Sequence, residues 1–212
     1  TYFQGEVWEE SEYWFRADGD ESWSAVLEAI YLTDGSQYSV YARATDAAGN
    51  QETSPAFDSF IFDSSSPESH VFIEREFYNN DNWVDASSIS GISSDFNSGV
   101  DSVRISILRT SDGHWWNGSS QWVVDTTWLA PNGIESWSYP LNVNTLVNGV
   151  SYIVSSLAWD IAGNIQTGTG DDTLTYDVTV PNAGNVLDGS GESDQDRSNS
   201  TTELSANWSN FN

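Results

Sequence analysis

Cysteine, methionine and lysine are all absent from this chain. Without cysteine there is no disulfide framework and no thiolate metal site. Without lysine there is no Schiff-base chemistry, no P-loop lysine and no Lys-Asn isopeptide cross-link. Histidine is almost as scarce, with His70 on an incoming strand and His114 in a turn beside two tryptophans. Neither has a second histidine or a Gly-x-Ser-x-Gly nearby to build a zinc site or a nucleophile. No stretch approaches the roughly 20 apolar residues of a membrane span, so membrane insertion is not expected. Positive charge is also short: six arginines stand against 32 acids, for a formal net charge of -26. Such a surface repels phosphates and anionic headgroups, which removes nucleic acid from the expected partners. Carboxylate pairs suited to glycoside hydrolysis arise too easily among 32 acids to mean anything, so no enzymatic activity is expected.

What the chain does have is aromatic side chains, 11 Trp, 9 Tyr and 9 Phe, and a repeat. Residues 146–164, LVNGVSYIVSSLAWDIAGN, restate residues 32–50, LTDGSQYSVYARATDAAGN, at an offset of 114. The register continues outward through Trp8 and Trp122, Trp14 and Trp128, Gly19 and Gly133, Trp23 and Trp137, Leu27 and Leu141, Asp63 and Asp177, and Pro67 and Pro181. The opening TYFQG mirrors Trp115, Trp116 and Gly118 with a one-residue slip and is read as part of the repeat. A spacing held without a gap over some sixty residues implies two copies of one unit.

Each residue of the shared motif has a mechanical reason. Leu-x-x-Gly-x-x-Tyr before an alternating strand is the pattern of a tyrosine corner, with Tyr38 and Tyr152 expected to bond backbone a few residues upstream. Asp-x-Ala-Gly-Asn then ends the strand, because Gly49, Gly163, Asn50 and Asn164 tolerate positive φ and the Asp side chain can accept amide N–H groups across the turn.

With its L-x-x-G-x-x-Y, D-x-A-G-N and D-x-x-x-P signature, the chain resembles the tandem immunoglobulin-like repeats of large bacterial and archaeal surface proteins, related in architecture to fibronectin type III modules. The resemblance covers one whole unit and parts of two others, and implies an all-β fold of tandem Ig-like sandwiches. The expected organisation is 1–63 as the C-terminal part of one unit, 64–177 as a complete unit, and 178–212 as the N-terminal strands of a third. The fold class carries little functional information, since such sandwiches host many roles.

Strands are expected at 38–45 and 56–62, the latter offering Phe57, Phe60 and Phe62 to a core, and at 71–77 and 87–93. Val103, Ile105 and Ile107 alternate with polar residues in a further strand. Segments 122–127, 137–141, 151–160 and 173–178 supply the rest, with no helical periodicity. Residues 201–211 resemble strand 87–93 and its following loop, with Leu204 against Ile89, Phe211 against Phe96 and Asn212 against Asn97. Trp122, Trp128 and Trp137 are expected in the core, whereas of the adjacent Trp115 and Trp116 one must face away from it.

This reading implies a segment of an extracellular or cell-surface stalk, adhesin or filament, whose partners are neighbouring repeats or copies of itself added head-to-tail by strand complementation. A carbohydrate-binding accessory module of a secreted enzyme is the alternative, with Trp115 and Trp116 as the glycan-binding pair. The acidity has two readings, screening in salty extracellular water or specific Ca²⁺ binding. For calcium, the linker after Asp63 would approach Asp95, Asp101 and Asp160 at a unit junction, with Asp177 repeating Asp63, and resemblance to calcium-stiffened adhesin repeats points the same way. Glu192, Asp194 and Asp196 are a second acidic candidate. Asn117, Asn199 and Asn207 fit the N-glycosylation pattern.

Overall fold

The computed structural model describes residues 1–181 and the short strands 186–187 and 205–206, with backbone alone at 84–86, 186–187 and 205–206. It is predominantly β, with strands gathered into several sheets.

Residues 68–176 carry two facing sheets. The smaller is built from β7 (Glu68–Phe72), β9 (Ser88–Ser94) and β13 (Ser136–Pro140), in the order β13-β9-β7. The larger adds β8 (Phe77–Tyr78), β10 (Val100–Arg109), β11 (His114–Trp116), β12 (Trp122–Val123), β14 (Val150–Asp160) and β15 (Gly170–Tyr176), in the order β12-β11-β10-β14-β15-β8. All pairs are antiparallel except β15 with β8.

The period-2 pattern of each strand turns its apolar residues inward. Val103, Ile105 and Ile107 of β10, Tyr152, Val154 and Ala158 of β14 and Leu174 of β15 meet Val71, Ile89 and Trp137 of the opposite sheet in one buried cluster. Gly91 lets that cluster close, because a Cβ there would lie 2.1 Å from both the Trp137 ring and the His70 carbonyl oxygen. Two buried serines bond across the interior: Ser69 Oγ donates to Gln166 Oε1 at 2.6 Å and lies 2.9 Å from Ser156 Oγ, which donates to the Gly170 carbonyl at 3.1 Å.

Three expectations need correction here. A helix, α1 (Asn80–Ala86), interrupts the strands, nucleated by a capping box in which the Asn79 side chain accepts from Asn82 N while Asn82 Oδ1 accepts from Asn79 N. The first incoming strand also ends at Phe72, and the chain resumes at β8 against the other sheet. Trp128 is not in the core but 38% exposed, because Leu129 forms the two-way bridge to Ile105 and its neighbour therefore points outward. Trp122 is half-buried against the core, and Trp137 lies fully inside.

Residues 1–62 contain only two-stranded sheets: β1 (Tyr2–Phe3) with β2 (Trp8–Glu9), β3 (Asp18–Gly19) with β4 (Trp23–Ser24), and β5 (Gln37–Ala42) with β6 (Ala56–Ile61). No hydrophobic side chain in this segment is buried. Phe57, expected in a core, is 70% exposed, and Phe60 is exposed as well, because among the described residues no second sheet lies across from them. Finally, β16 (Val186–Leu187) pairs with β17 (Ser205–Ala206). No helix among the described residues is long and apolar enough to cross a membrane.

Candidate functional site

Three loops converge where the front segment meets the two facing sheets. The first follows β6 and carries Asp63, the second joins β9 to β10 through Asp95 and Gly99, and the third is the Asp160–Asn164 turn after β14. Asp95 organises its own loop, Oδ1 accepting from the amides of Asn97, Ser98 and Gly99 at 3.1, 2.9 and 2.9 Å. Asp160 does the same for its turn, accepting from Asn164 N at 2.7 Å and from Asn164 Nδ2 at 2.8 Å. Asp63 Oδ1 accepts from Ser65 N at 3.0 Å, and its Oδ2 reaches across to accept from Ser98 N at 3.1 Å.

The seam is completed by two asparagines. Asn97 Nδ2 donates to Asp34 Oδ2 at 3.0 Å and to Ser65 Oγ at 2.9 Å. Asn164 Nδ2 donates to the Asp63 carbonyl at 3.2 Å. Gly35, with φ +71°, lies against Asn97, whose Oδ1 would be 2.9 Å from an added Cβ.

Oxygens of Asp63, Asp95 and Asp160 all lie within 4.8 Å of one another. Asp63 and Asp160 are buried. Burial pushes the Asp63 carboxyl up, but the bonds from Ser98, Ser65 and Asn97 outweigh it and hold the group below the ordinary carboxylate range. Three carboxylates this close repel one another unless a cation or a proton intervenes. An ion with bonds of roughly 2.3–2.6 Å touches oxygens up to about 5 Å apart, so the spacing suits one Ca²⁺. Asp95 Oδ2 is buried without a hydrogen-bond partner, which leaves a charged oxygen free for a ligand. The donors are all hard oxygens, which favours Ca²⁺ or Mg²⁺ over zinc.

Three of the five expected metal residues therefore come together. Asp101 does not join them: the register shifts between Val100 and Ser102, and this irregularity leaves Asp101 exposed beside the cluster. Asp177 sits after β15, where its Oδ1 accepts from Thr179 N at 2.7 Å, the same bond that Asp63 makes with Ser65. Asp34, Asn97 and Ser98 were not anticipated. The pairing of Asp34 with Asn148 at the 114 offset was a usable signal, since Asp34 Oδ1 accepts from Ser64 N and Asn148 Oδ1 from Val178 N.

The remaining candidates lie elsewhere. Trp116 is buried and tilted against Trp122, whereas Trp115 is half-buried, so the two rings do not form a joint surface platform. Asn117 Oδ1 accepts from the amides of Ser119, Ser120 and Gln121 and shapes its own loop. Asn199, Asn207, Glu192, Asp194 and Asp196 lie outside the described residues. His114 Nδ1 lies 3.2 Å from Asp112 Oδ2, beside the Arg109–Asp112 pair that flanks Trp122.

Tyr38 Oη accepts from Thr33 N and Tyr152 Oη from Val147 N, each at 2.7 Å. Gly49 and Gly163 have φ of +90° and +97°, and the Asn50 side chain donates to Asp46 as Asn164 does to Asp160. No protein-family model matches the chain, and no curated protein shows significant similarity to it.

Proposed function

We propose that this chain is a structural repeat segment of an extracellular stalk, adhesin or filament, built from Ig-like β-sandwiches of about 114 residues that add head-to-tail by strand complementation. The observation that carries the reading is the contrast between equivalent positions. Trp137, Tyr152, Val154 and Leu174 are buried under β7 and β9, whereas among the described residues Trp23, Tyr38, Val40 and Phe60 have no strand above them. An uncovered aromatic face beside open strand edges is a surface that recruits another chain.

The strand order supports the sandwich class, with β7 and β8 dividing the first strand between two sheets and Tyr152 closing the corner into β14. The third-unit reading is supported by β16 and β17, whose pairing of Val186 with Ala206 and Leu187 with Ser205 repeats that of Val71 with Gly91 and Phe72 with Ser90. Because donor and acceptor surfaces differ, the contact propagates without closing.

At each junction Asp63, Asp95 and Asp160 hold one Ca²⁺, which cancels their repulsion and stiffens the angle between successive units. The test is electron microscopy with analytical ultracentrifugation of the purified chain in calcium and salt. Extended head-to-tail multimers are expected, and a chain that stays monomeric at all concentrations sinks the proposal.

A further inference from the structure

The open edge of β4 and the open edge of β17 match in register, and we infer that they meet between two copies of the chain, with Ser24 of one opposite Ser205 of the next. This rests on the head-to-tail reading and specifies where that contact forms.

Among the facing sheets, β9 is a middle strand. On one side it pairs with β7, Val71 opposite Gly91 and Phe72 opposite Ser90. On the other it pairs with β13, Trp137 opposite Gly91, Ser138 opposite Ser90 and Tyr139 opposite Ile89. β16 and β17 reproduce the first ladder, displaced by 115 residues, as a sheet of two strands. Among the described residues, the second ladder is what β17 lacks.

The front segment offers the other half. β3 and β4 pair Asp18 with Ser24, as Asn132 bridges Ser138. Their sheet also has only two strands, so the edge of β4 equivalent to the one that β9 covers on β13 is open. Beside it runs a groove of about 890 Å³, lined among others by Trp14, Trp23, Val40 and Ala44. At the 114 offset the last three correspond to the core residues Trp137, Val154 and Ala158.

Restoring the second ladder sets Trp23 opposite Ala206 and Ser24 opposite Ser205. Ser205 then takes the place of the exposed Ser90 and Ala206 that of Gly91. A slip of one residue would reverse the two faces of the added strand, so the register decides which face meets the groove. One side chain differs in kind. Ala206 stands where Gly91 lies under the Trp137 ring, so the Trp23 ring must tilt away from the pose of Trp137, and Trp23, half exposed, has room to do so.

The chain has no cysteine, so every disulfide formed after substitution is an engineered one. Antiparallel partners lie about 4.5–5.5 Å apart at Cα, within the reach of a disulfide. Both pieces are net acidic, so the experiment is run in about 1 M NaCl, where the Debye length falls to about 3 Å. Mild oxidation of the full chain carrying S24C and S205C is expected to give a ladder of multimers on a non-reducing gel. The yield should exceed that of S24C with E203C, two residues out of register, by roughly tenfold, and mixing the two single variants should give a heterodimer. Ala206→Gly is expected to lower the concentration at which multimers appear.

Equal yields from both cysteine pairs, a cross-linked monomer, or weaker assembly by Ala206→Gly overturn the register. If light scattering still shows multimers in those cases, head-to-tail assembly stands. Absence of multimers from both the unsubstituted and the cysteine-bearing chains overturns the two together.

Discussion

Tyr38 and Tyr152 make the same hydrogen bond, to the amide five residues upstream and at the same 2.7 Å, yet Tyr152 is buried completely and Tyr38 is not. The likeness extends through both segments related by the offset of 114. Phe3 and Trp8 pack at 5.3 Å and 51°, and Trp116 and Trp122 at 5.4 Å and 53°. Short 3-10 turns stand at Ala29–Tyr31 and Val143–Thr145, and the Asp46 and Asp160 turns share their bonds. Trp23 and Trp137 nevertheless differ from 48% to 2% exposure. Local motifs thus form their turns and hairpins without a core, whereas burial requires strands from elsewhere in the chain. The Trp137 ring is covered by β9, 46 residues earlier at Gly91, and no strand among the described residues covers Trp23.

The sharpest way to break the comparison is to truncate both tryptophans. Trp137→Ala removes a fully packed ring and is expected to cost about 3–5 kcal/mol, read from urea unfolding. Trp23→Ala in the monomer should cost under about 0.5 kcal/mol, as for an unburied side chain, and should instead weaken assembly. Equal losses in the monomer would mean that the front segment has a core of its own.

Calcium probes the seam between the two regions. At a hundredfold excess over its dissociation constant the ion is expected to add about 2.7 kcal/mol, seen as a higher melting temperature that EDTA reverses. Asp95→Asn should abolish the shift and Asp101→Asn should leave it, whereas a melting temperature indifferent to both calcium and EDTA removes the metal site.

The two corners give a smaller contrast. Tyr152→Phe strands the Val147 amide beside a packed core, at about 1–3 kcal/mol, while Tyr38→Phe leaves the Thr33 amide to water at a few tenths. Chemical denaturation of the two variants side by side measures the difference.

The smallest effect is in acid. Asp112 is held at about 2, chiefly by the Arg109 guanidinium, and the Asp63 carboxyl is also below its ordinary range. A lowered folded-state value means that the contribution is complete above the ordinary 3.8 and is lost as pH falls through that value toward about 2. Urea midpoints should therefore fall across this window, and Asp112→Asn, an exposed pair without a counterpart in residues 1–62, should flatten the decline only slightly.

The sequence by itself determined the all-β class, the offset of 114, both tyrosine corners, both Asp-to-Asn turns and the strand that carries Val103, Ile105 and Ile107. These follow from spacing, from glycine tolerating positive φ, from asparagines that bond back to the aspartate of their turn, and from side chains that alternate with a period of two. It also carried the capping residues Asn79 and Asn82 of α1, although seven residues are too few to show a helical period. Only the tertiary structure decided which aromatics are covered, that Trp128 faces outward because Leu129 takes the bridge to Ile105, and that Asp63, Asp95 and Asp160 rather than Asp101 share one site. Those outcomes depend on residues far apart in the chain, Asp63 and Asp160 among them, and on a register shift at Val100 that no local pattern announces.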